Sequence, residues 1–285
     1  MKKYLLAFLS LLLCCQWVGA QPPRVPESVV FAGETIRFDR SDLYERMDRE
    51  LLAFTYMHST SILMLKRADR IFKTVVPILR RNGIPEDLKY LMVIESNLDP
   101  QALSPVGAAG LWQFMSGAAK EYGLEVNANV DERYHIEKAT AAACRYLKRS
   151  YARFGDWMSV AASYNAGPGA IASRMEAQKE KRAADLWLLN ETSRYMFRVL
   201  AAKMLFENPE QFGFNISEED RYPVIGVKEV VEVSDPIEDL AVFAKEHGVS
   251  FAQLKRANLW LRESKLDNKS HKNYEIIIPR EPGRP

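Results

Sequence analysis

Cysteine is nearly absent from this sequence. There are three in 285 residues, two adjacent at Cys14 and Cys15 inside an apolar leader and the third at Cys144. Beyond the leader Cys144 has no partner, which excludes an internal disulfide framework. It shares a helical stripe with Ala141, Leu147 and Tyr151, so core packing is its expected role and nucleophilic chemistry a remote one. Histidine is also sparse: His58, His135, His247 and His271 are scattered without ligand spacing. That pattern supports neither a zinc peptidase nor a Ser-His-Asp hydrolase, and no metal or cofactor is expected. An excess of one charge is missing too, with 39 basic residues against 37 acidic ones. Nothing in that balance argues for nucleic-acid binding. The apolar run from Tyr4 to Leu13 is too short to span a bilayer.

That run follows Lys2-Lys3 and precedes Val18-Gly19-Ala20, the pattern of a secretory signal cut after Ala20. A lipid anchor on Cys14 or Cys15 is the rival reading, although Leu13 stands where a small residue is expected. Either reading exports the chain to the periplasm or cell envelope, with membrane association through the export signal or a lipid anchor. Losing Lys2 and Lys3 reduces the 39 basic residues to 37, equal to the acids. With 47% hydrophobic and 27% charged residues, the remainder has room for one large domain and a small one. Residues 21–40, rich in Pro and polar side chains, read as a linker. Residues 41–210 form a mainly α domain, 211–223 a second linker and 224–281 a small α+β domain. Oligomeric state is not legible.

Within the large domain, Asp42 with Glu45 resembles a capping box opening a helix through Phe54. A second helix runs from about Ile62 to Gly83, kinked at Pro77, with Lys66, Arg67, Arg70 and Lys73 on a solvated face. The Ala-rich stretch from Ile136 to Phe154 predicts a helix ended by Gly155. It is expected to pack on the helix described next, and Asn127 to Tyr134 is expected to be a polar connection.

That helix, from Ile84 to Ser96, carries an acid where acids do not normally belong. Leu88, Leu91 and Met92 recur at helical spacing, and Glu95 falls next on their stripe while Tyr90, Val93 and Ile94 cover the other side. Burial raises a carboxyl pKa, so Glu95 is expected to hold a proton near neutral pH, as a general acid for glycosidic cleavage requires. A helix-terminal glutamate open to solvent is the plain alternative. Downstream come Pro100-Gln101-Ala102-Leu103-Ser104 and Gly107-Ala108-Ala109-Gly110-Leu111-Trp112-Gln113-Phe114-Met115. Here the chain resembles the lysozyme-like lytic transglycosylases that cut peptidoglycan glycan strands. Within that family the Trp-Gln-Phe-Met form is most similar to the membrane-bound lytic murein transglycosylase D type.

Two further blocks follow in order: Ala162-Ser163-Tyr164-Asn165-Ala166-Gly167-Pro168-Gly169, and Glu191-Thr192-Ser193-Arg194-Tyr195 at a helix start. Alone each reads as ordinary turn or helix-start chemistry. The resemblance implies a lysozyme-like fold with Glu95 as the lone catalytic acid and base. It further implies that Ser104, Gln113 and Asn165 hold sugar groups and Met115 lies in the substrate cleft. Tyr164 and Tyr195 would line the cleft and orient Glu95, with Glu191 in support. The implied partner is the peptidoglycan glycan strand, cut between N-acetylmuramic acid and N-acetylglucosamine to leave 1,6-anhydro ends. A water-using lysozyme is the nearest rival, and an inactive glycan-binding envelope protein the rival of another class. Asp99, the obvious second carboxylate, would share the Glu95 face only if the helix continued past Pro100.

Toward the C-terminus the pattern becomes strand (Val227 to Val233), helix (Pro236 to Glu246), helix (Ser250 to Ala257) and strand (Tyr274 to Pro279). This resembles a LysM domain, a small module that holds N-acetylglucosamine-containing glycans. The usual Gly-Asp-Thr-Leu entrance is replaced by Asp235-Pro236-Ile237-Glu238, and the usual Pro-Gly by Lys272-Asn273. As an appendage, its removal after about residue 222 is expected to spare chemistry on soluble fragments and weaken binding to intact sacculi.

Overall fold

Residues 21–40, expected as a linker, instead carry a hairpin of β1 (Ser28–Phe31) and β2 (Glu34–Arg37), the first secondary structure among the described residues. The computed structural model describes residues 21–280, so the signal and cleavage site read at 1–20 lie outside the described residues. Val29 pairs with Ile36 in the antiparallel ladder. Both turn residues have positive φ, Ala32 at 53° and Gly33 at 84°, as the twist of a two-residue hairpin requires. Phe31, Ile36 and Phe38 are buried in the main core. Two bonds fasten the hairpin to the helices: Ala32 N–H donates to Asp87 Oδ2 at 2.8 Å, and Trp157 N–H donates to the Glu34 carboxylate at 3.0 Å. The prolines at 22, 23 and 26 masked a strand whose alternation begins at Val29.

Helix α1 spans Ser41–Tyr56 and α2 spans His58–Arg81, so α2 starts earlier than the expected Ile62. Asp42 makes no cap; its carboxylate pairs with Arg40 and Arg46 instead. The Pro85 segment opens with a 3-10 turn at Glu86–Leu88 before α3 (Lys89–Ser96). Then follow α4 (Ser116–Glu121), α5 (Ile136–Phe154), α6 (Trp157–Ala166), α7 (Pro168–Gln178) and α8 (Asn190–Glu207). The domain is organised around α8, which packs on α1, α3 and α6. Its Ala201 and Ala202 are fully buried, and side chains that small let neighbouring helices approach. Glu50 of α1, fully buried, accepts from Arg194 Nε at 2.6 Å and Arg198 Nε at 3.2 Å, stapling α1 to α8.

The expected packing of the 136–154 helix on the Glu95 helix is corrected by the structure. Helix α5 lies chiefly against α2 and α6, while α3 has α8 as its main neighbour. Cys144 is fully buried on α5, and burial pushes its thiol up to about 11, consistent with packing.

The C-terminal part is the strand-helix-helix-strand unit expected: β3 (Gly226–Val233), α9 (Leu240–Glu246), α10 (Phe251–Ala257) and β4 (Tyr274–Arg280). Helix α9 starts at Leu240, not Pro236, because Asp239 accepts from the amides of Ala241 and Val242 as its cap. Strands β3 and β4 pair antiparallel over a core of Leu240, Leu254, Trp260, Ile276 and Ile278. Val130 of the large domain belongs to that second core. The stretch Asn127 to Tyr134 is therefore a seam between domains rather than a free polar connection. The 211–223 stretch lies back on α2, where Tyr222 N–H donates to Lys66 O at 2.8 Å.

Candidate active site

Helix α3 is short and buries Tyr90, Leu91, Met92 and Val93, so its C-terminal end is carried into the domain interior. It stops at Ser96 because the next two residues adopt left-handed backbone, Asn97 at φ 50° and Leu98 at φ 55°. Asn tolerates that region, but the fully buried Leu98 is strained there, and strain of this kind is held by surrounding packing. Glu95 thus sits in the last turn, with part of its surface still open. Burial raises its carboxyl to about 7; the Tyr195 hydrogen bond pulls the other way and the charge of Glu191 adds to the rise. The open alternative for Glu95 does not hold.

Three tyrosines carry its charge in their own titration, and one of them touches it. Tyr195 O–H donates to Glu95 Oε1 at 2.7 Å. Tyr164 O–H donates to Trp112 O at 2.7 Å, tying the loop that bears Gln113 to the Glu95 neighbourhood. Tyr146 packs edge-on against Tyr164 with ring centroids 5.0 Å apart and donates to Ser163 O at 3.0 Å. Burial raises all three phenols, and the Glu95 charge adds to each. Sequence reasoning named Tyr164 and Tyr195 but missed Tyr146. It stands on the Ala-rich α5 with no motif around it, and only the fold brings it here.

The loop between α3 and α4 is built by its own polar atoms. Ser104 exchanges backbone bonds with the 107–108 turn, and its Oγ accepts from Ala108 N–H at 2.9 Å. Gln113 adopts φ 48° and folds its amide back, donating to Gly110 O at 2.8 Å and Ala102 O at 3.2 Å. Trp112 is fully buried and donates to Thr140 Oγ1 at 3.0 Å, anchoring the loop to α5. Gly110 passes so close to the 133–134 backbone that a Cβ would lie 2.0 Å from Arg133 O. Met115 is exposed, Asn165 is partly open at the end of α6, and Glu191 is exposed in the first turn of α8. Asp99 is engaged elsewhere: it lies 3.5 Å from Arg67 Nη2 and caps Gln101 N–H at 2.9 Å.

Residues 78–187 match the family of the transglycosylase SLT domain. Residues 229–282 match that of the soluble lytic transglycosylase C-terminal LysM-like domain. The chain carries an SLT domain followed by a LysM-like domain. It is homologous to membrane-bound lytic murein transglycosylase D of Escherichia coli, 27% identical over 244 residues, covering 83% of this chain and 52% of that protein. It spans about half the length of that relative. Membrane-bound lytic murein transglycosylase F of Alcanivorax borkumensis is 32% identical over 109 residues, 35% of this chain and 22% of that protein. Among solved structures, an inactive variant of the lytic transglycosylase Slt of Pseudomonas aeruginosa gives a TM-score of 0.42 at 23% identity, over 55% of this chain and 27% of that one.

The SLT match takes in Glu95, the Gln113 loop, Tyr146, Tyr164 and Asn165, while Tyr195 and Glu191 follow it on α8. Two cavities lie away from this chemistry. One of about 620 Å³ opens beside Phe72 and Phe206, and one of about 320 Å³ at the seam of the two domains; Glu95 lines neither. Among the described residues no His, Cys, Asp and Glu cluster is arranged to hold a metal, and no helix is long and apolar enough to cross a membrane.

Proposed function

We propose that this chain is a peptidoglycan lytic transglycosylase of the cell envelope. It would cleave the β-1,4 bond between N-acetylmuramic acid and N-acetylglucosamine and leave 1,6-anhydro-muramic ends. The observation that carries the reading is a single carboxyl, Glu95, held protonated to about pH 7 beneath Tyr195 in an SLT domain.

A pKa near the working pH suits a group that must first give a proton and then take one. Glu95 donates its proton to the glycosidic oxygen as the bond from that oxygen to the muramic C1 breaks. The carboxylate left behind accepts the proton of the muramic C6 hydroxyl, whose oxygen bonds to C1. The donated proton leaves on the N-acetylglucosamine hydroxyl, the C6 proton restores Glu95 to its starting form, and no water is consumed. Hydrolysis by the usual route needs a second carboxylate across the bond. Asp99 is paired with Arg67 and separated from Glu95 by the left-handed turn at Asn97 and Leu98. Glu191 contributes its charge, which keeps the Glu95 proton in place before reaction.

Around this centre, Ser104 keeps its hydroxyl proton, and Gln113 its carbonyl oxygen, for sugar hydroxyl and acetamide groups. Asn165 and Met115 complete the sugar contacts in this reading, with Tyr164 and Tyr195 lining the cleft. Export and membrane association follow from the leader and find support in the membrane-bound relatives. Identifying product ends by mass spectrometry after digestion of purified peptidoglycan tests the proposal. Anhydro-muramic ends are expected, and hydrated reducing ends alone would overturn it.

A further inference from the structure

We propose that Arg133 is a positioning residue through which the LysM-like domain braces the loop that carries Gln113. The segment from Glu125 to His135 has two faces. On one, Arg133 Nη1 donates to Gly107 O at 2.7 Å and to Phe114 O at 3.1 Å, pinning the loop at two points that flank Gln113. The backbone carbonyl of Arg133 is also the surface against which Gly110 packs. A guanidinium with its fork filled this way fixes both the distance and the orientation of what it holds.

Arg133 is itself held. Its Nε and Nη2 grip the Asp131 carboxylate at 2.9 and 2.8 Å, and both side chains are only 9% exposed. Asp131 in turn is fixed by the C-terminal domain. Its N–H donates to Trp260 O at 2.9 Å, next to the bridge between Val130 and Leu261. Asn129 accepts from Arg262 N–H with its backbone, donates to Lys265 O and accepts from Asp267 N–H with its side chain. Lys272 reaches Glu125 at 2.6 Å and Glu132 at 3.3 Å, while the Trp260 ring stacks between His135 and Tyr274.

Three consequences follow from geometry. The seam is continuous with the C-terminal hydrophobic core through Val130 and is crossed by the polar links just named, so the two domains are one mechanical unit. The ordered links run from Trp260 through Asp131 and Arg133 to Gly107 and Phe114. Nothing in that path touches Glu95 or Tyr195, so loosening it moves the substrate-holding loop while the bond that orients the proton carrier stays in place. The LysM-like domain is then a brace, contrary to the expectation that its removal spares chemistry on soluble fragments.

The kinetic arm of the test rests on the proposed function; the exchange arm does not. Two full-length variants are compared with the parent chain: Asn129→Ala combined with Lys272→Ala, which loosens the seam, and Arg133→Lys, which keeps the charge and loses the fork. Hydrogen exchange is read without substrate at Ala109 and Gly110, whose amides close the loop on Phe114 and Ala102. Both variants are expected to exchange there on the order of tenfold faster, with α8 amides unchanged. On purified peptidoglycan kcat should fall about tenfold or more, since a misplacement of about 1 Å costs up to ~100-fold, and the pH midpoint of kcat should stay put. Parent-like protection of Ala109 and Gly110 in either variant overturns the brace, even where Asp131, Arg262 or the β4 amides have opened. Faster loop exchange in a chain whose parent shows no activity counts against the proposed function and for the brace.

Discussion

The Tyr195 hydroxyl donates to Glu95 Oε1 at 2.7 Å, joining the last turn of α3 to the first turns of α8. This bond favours the charged carboxylate, against a burial that favours the protonated one, and burial wins. Activity that needs the Glu95 proton is therefore expected below about pH 7 and lost as pH rises through it. Tyr195→Phe removes the opposing contribution, so the descending limb of kcat should move to higher pH while kcat itself falls on the order of tenfold for want of orientation. A pH–rate profile of both proteins checks the sign; a limb that moves down contradicts it.

Glu95→Gln keeps the shape of the side chain and removes the proton carrier. Turnover of purified peptidoglycan should drop at least ~100-fold, the low end for losing a general acid, with the far-ultraviolet dichroism unchanged. A parent-like rate would assign the chemistry to another residue.

The same substitution has the opposite effect on stability. A carboxyl raised from 4.5 to about 7 binds more protons folded than unfolded between those values, so the folded chain loses stability as pH rises across that window. Replacing Glu95 by Gln removes that loss. Thermal unfolding should show Glu95→Gln more stable than the parent at pH 8, by on the order of 1–3 kcal/mol, and nearly equal at pH 4. Equal stability at both would mean that Glu95 is better solvated than its surroundings imply.

Glu95, Tyr164 and Tyr195 were legible because each lies in a short block whose spacing survives without the fold. Ser104 and Gln113 were legible as positions but not as geometry, since sequence does not reveal that each bonds its own loop. Tyr146 was not legible, because only the packing of α5 on α6 sets its ring against Tyr164. The hairpin at 28–37 was not read, because the prolines at 22, 23 and 26 gave the whole stretch the composition of a linker. The Asn127 to Tyr134 seam was beyond reach, as its partners lie about 130 residues downstream in sequence at Trp260, Lys265 and Asp267.

Glu50 is a buried acid far from the chemistry in sequence, yet it sets the start of α8. Removing it with Glu50→Ala leaves Arg194 and Arg198, about a third exposed, without their acceptor. The expected cost is roughly 1–3 kcal/mol, less than the ~3–5 for a pair buried on both sides, because the arginines can turn to water. Denaturant unfolding reads it directly, and a loss under about 0.5 kcal/mol, the range of ordinary surface changes, would deny the staple a structural role.

Gly110 has no room for a side chain: its φ is +74°, and a Cβ would sit 2.0 Å from a backbone oxygen that cannot swing away. Gly110→Ala should therefore displace the Gln113 loop and cost activity more than about tenfold, while Gly107→Ala, which meets nothing within 4 Å, pays only for its φ of +87°. Steady-state rates of the two variants on the same peptidoglycan decide it, and equal losses would contradict the close approach.

The most direct measurement is digestion of purified peptidoglycan in water enriched in oxygen-18, followed by mass spectrometry of the released disaccharide-peptides. One carboxyl that is reprotonated by the muramic C6 hydroxyl should yield products one water lighter than reducing ends and free of the label, and Glu95→Gln should yield none. Labelled reducing ends from the parent chain would show that water attacks C1, and the single-carboxyl mechanism would be wrong.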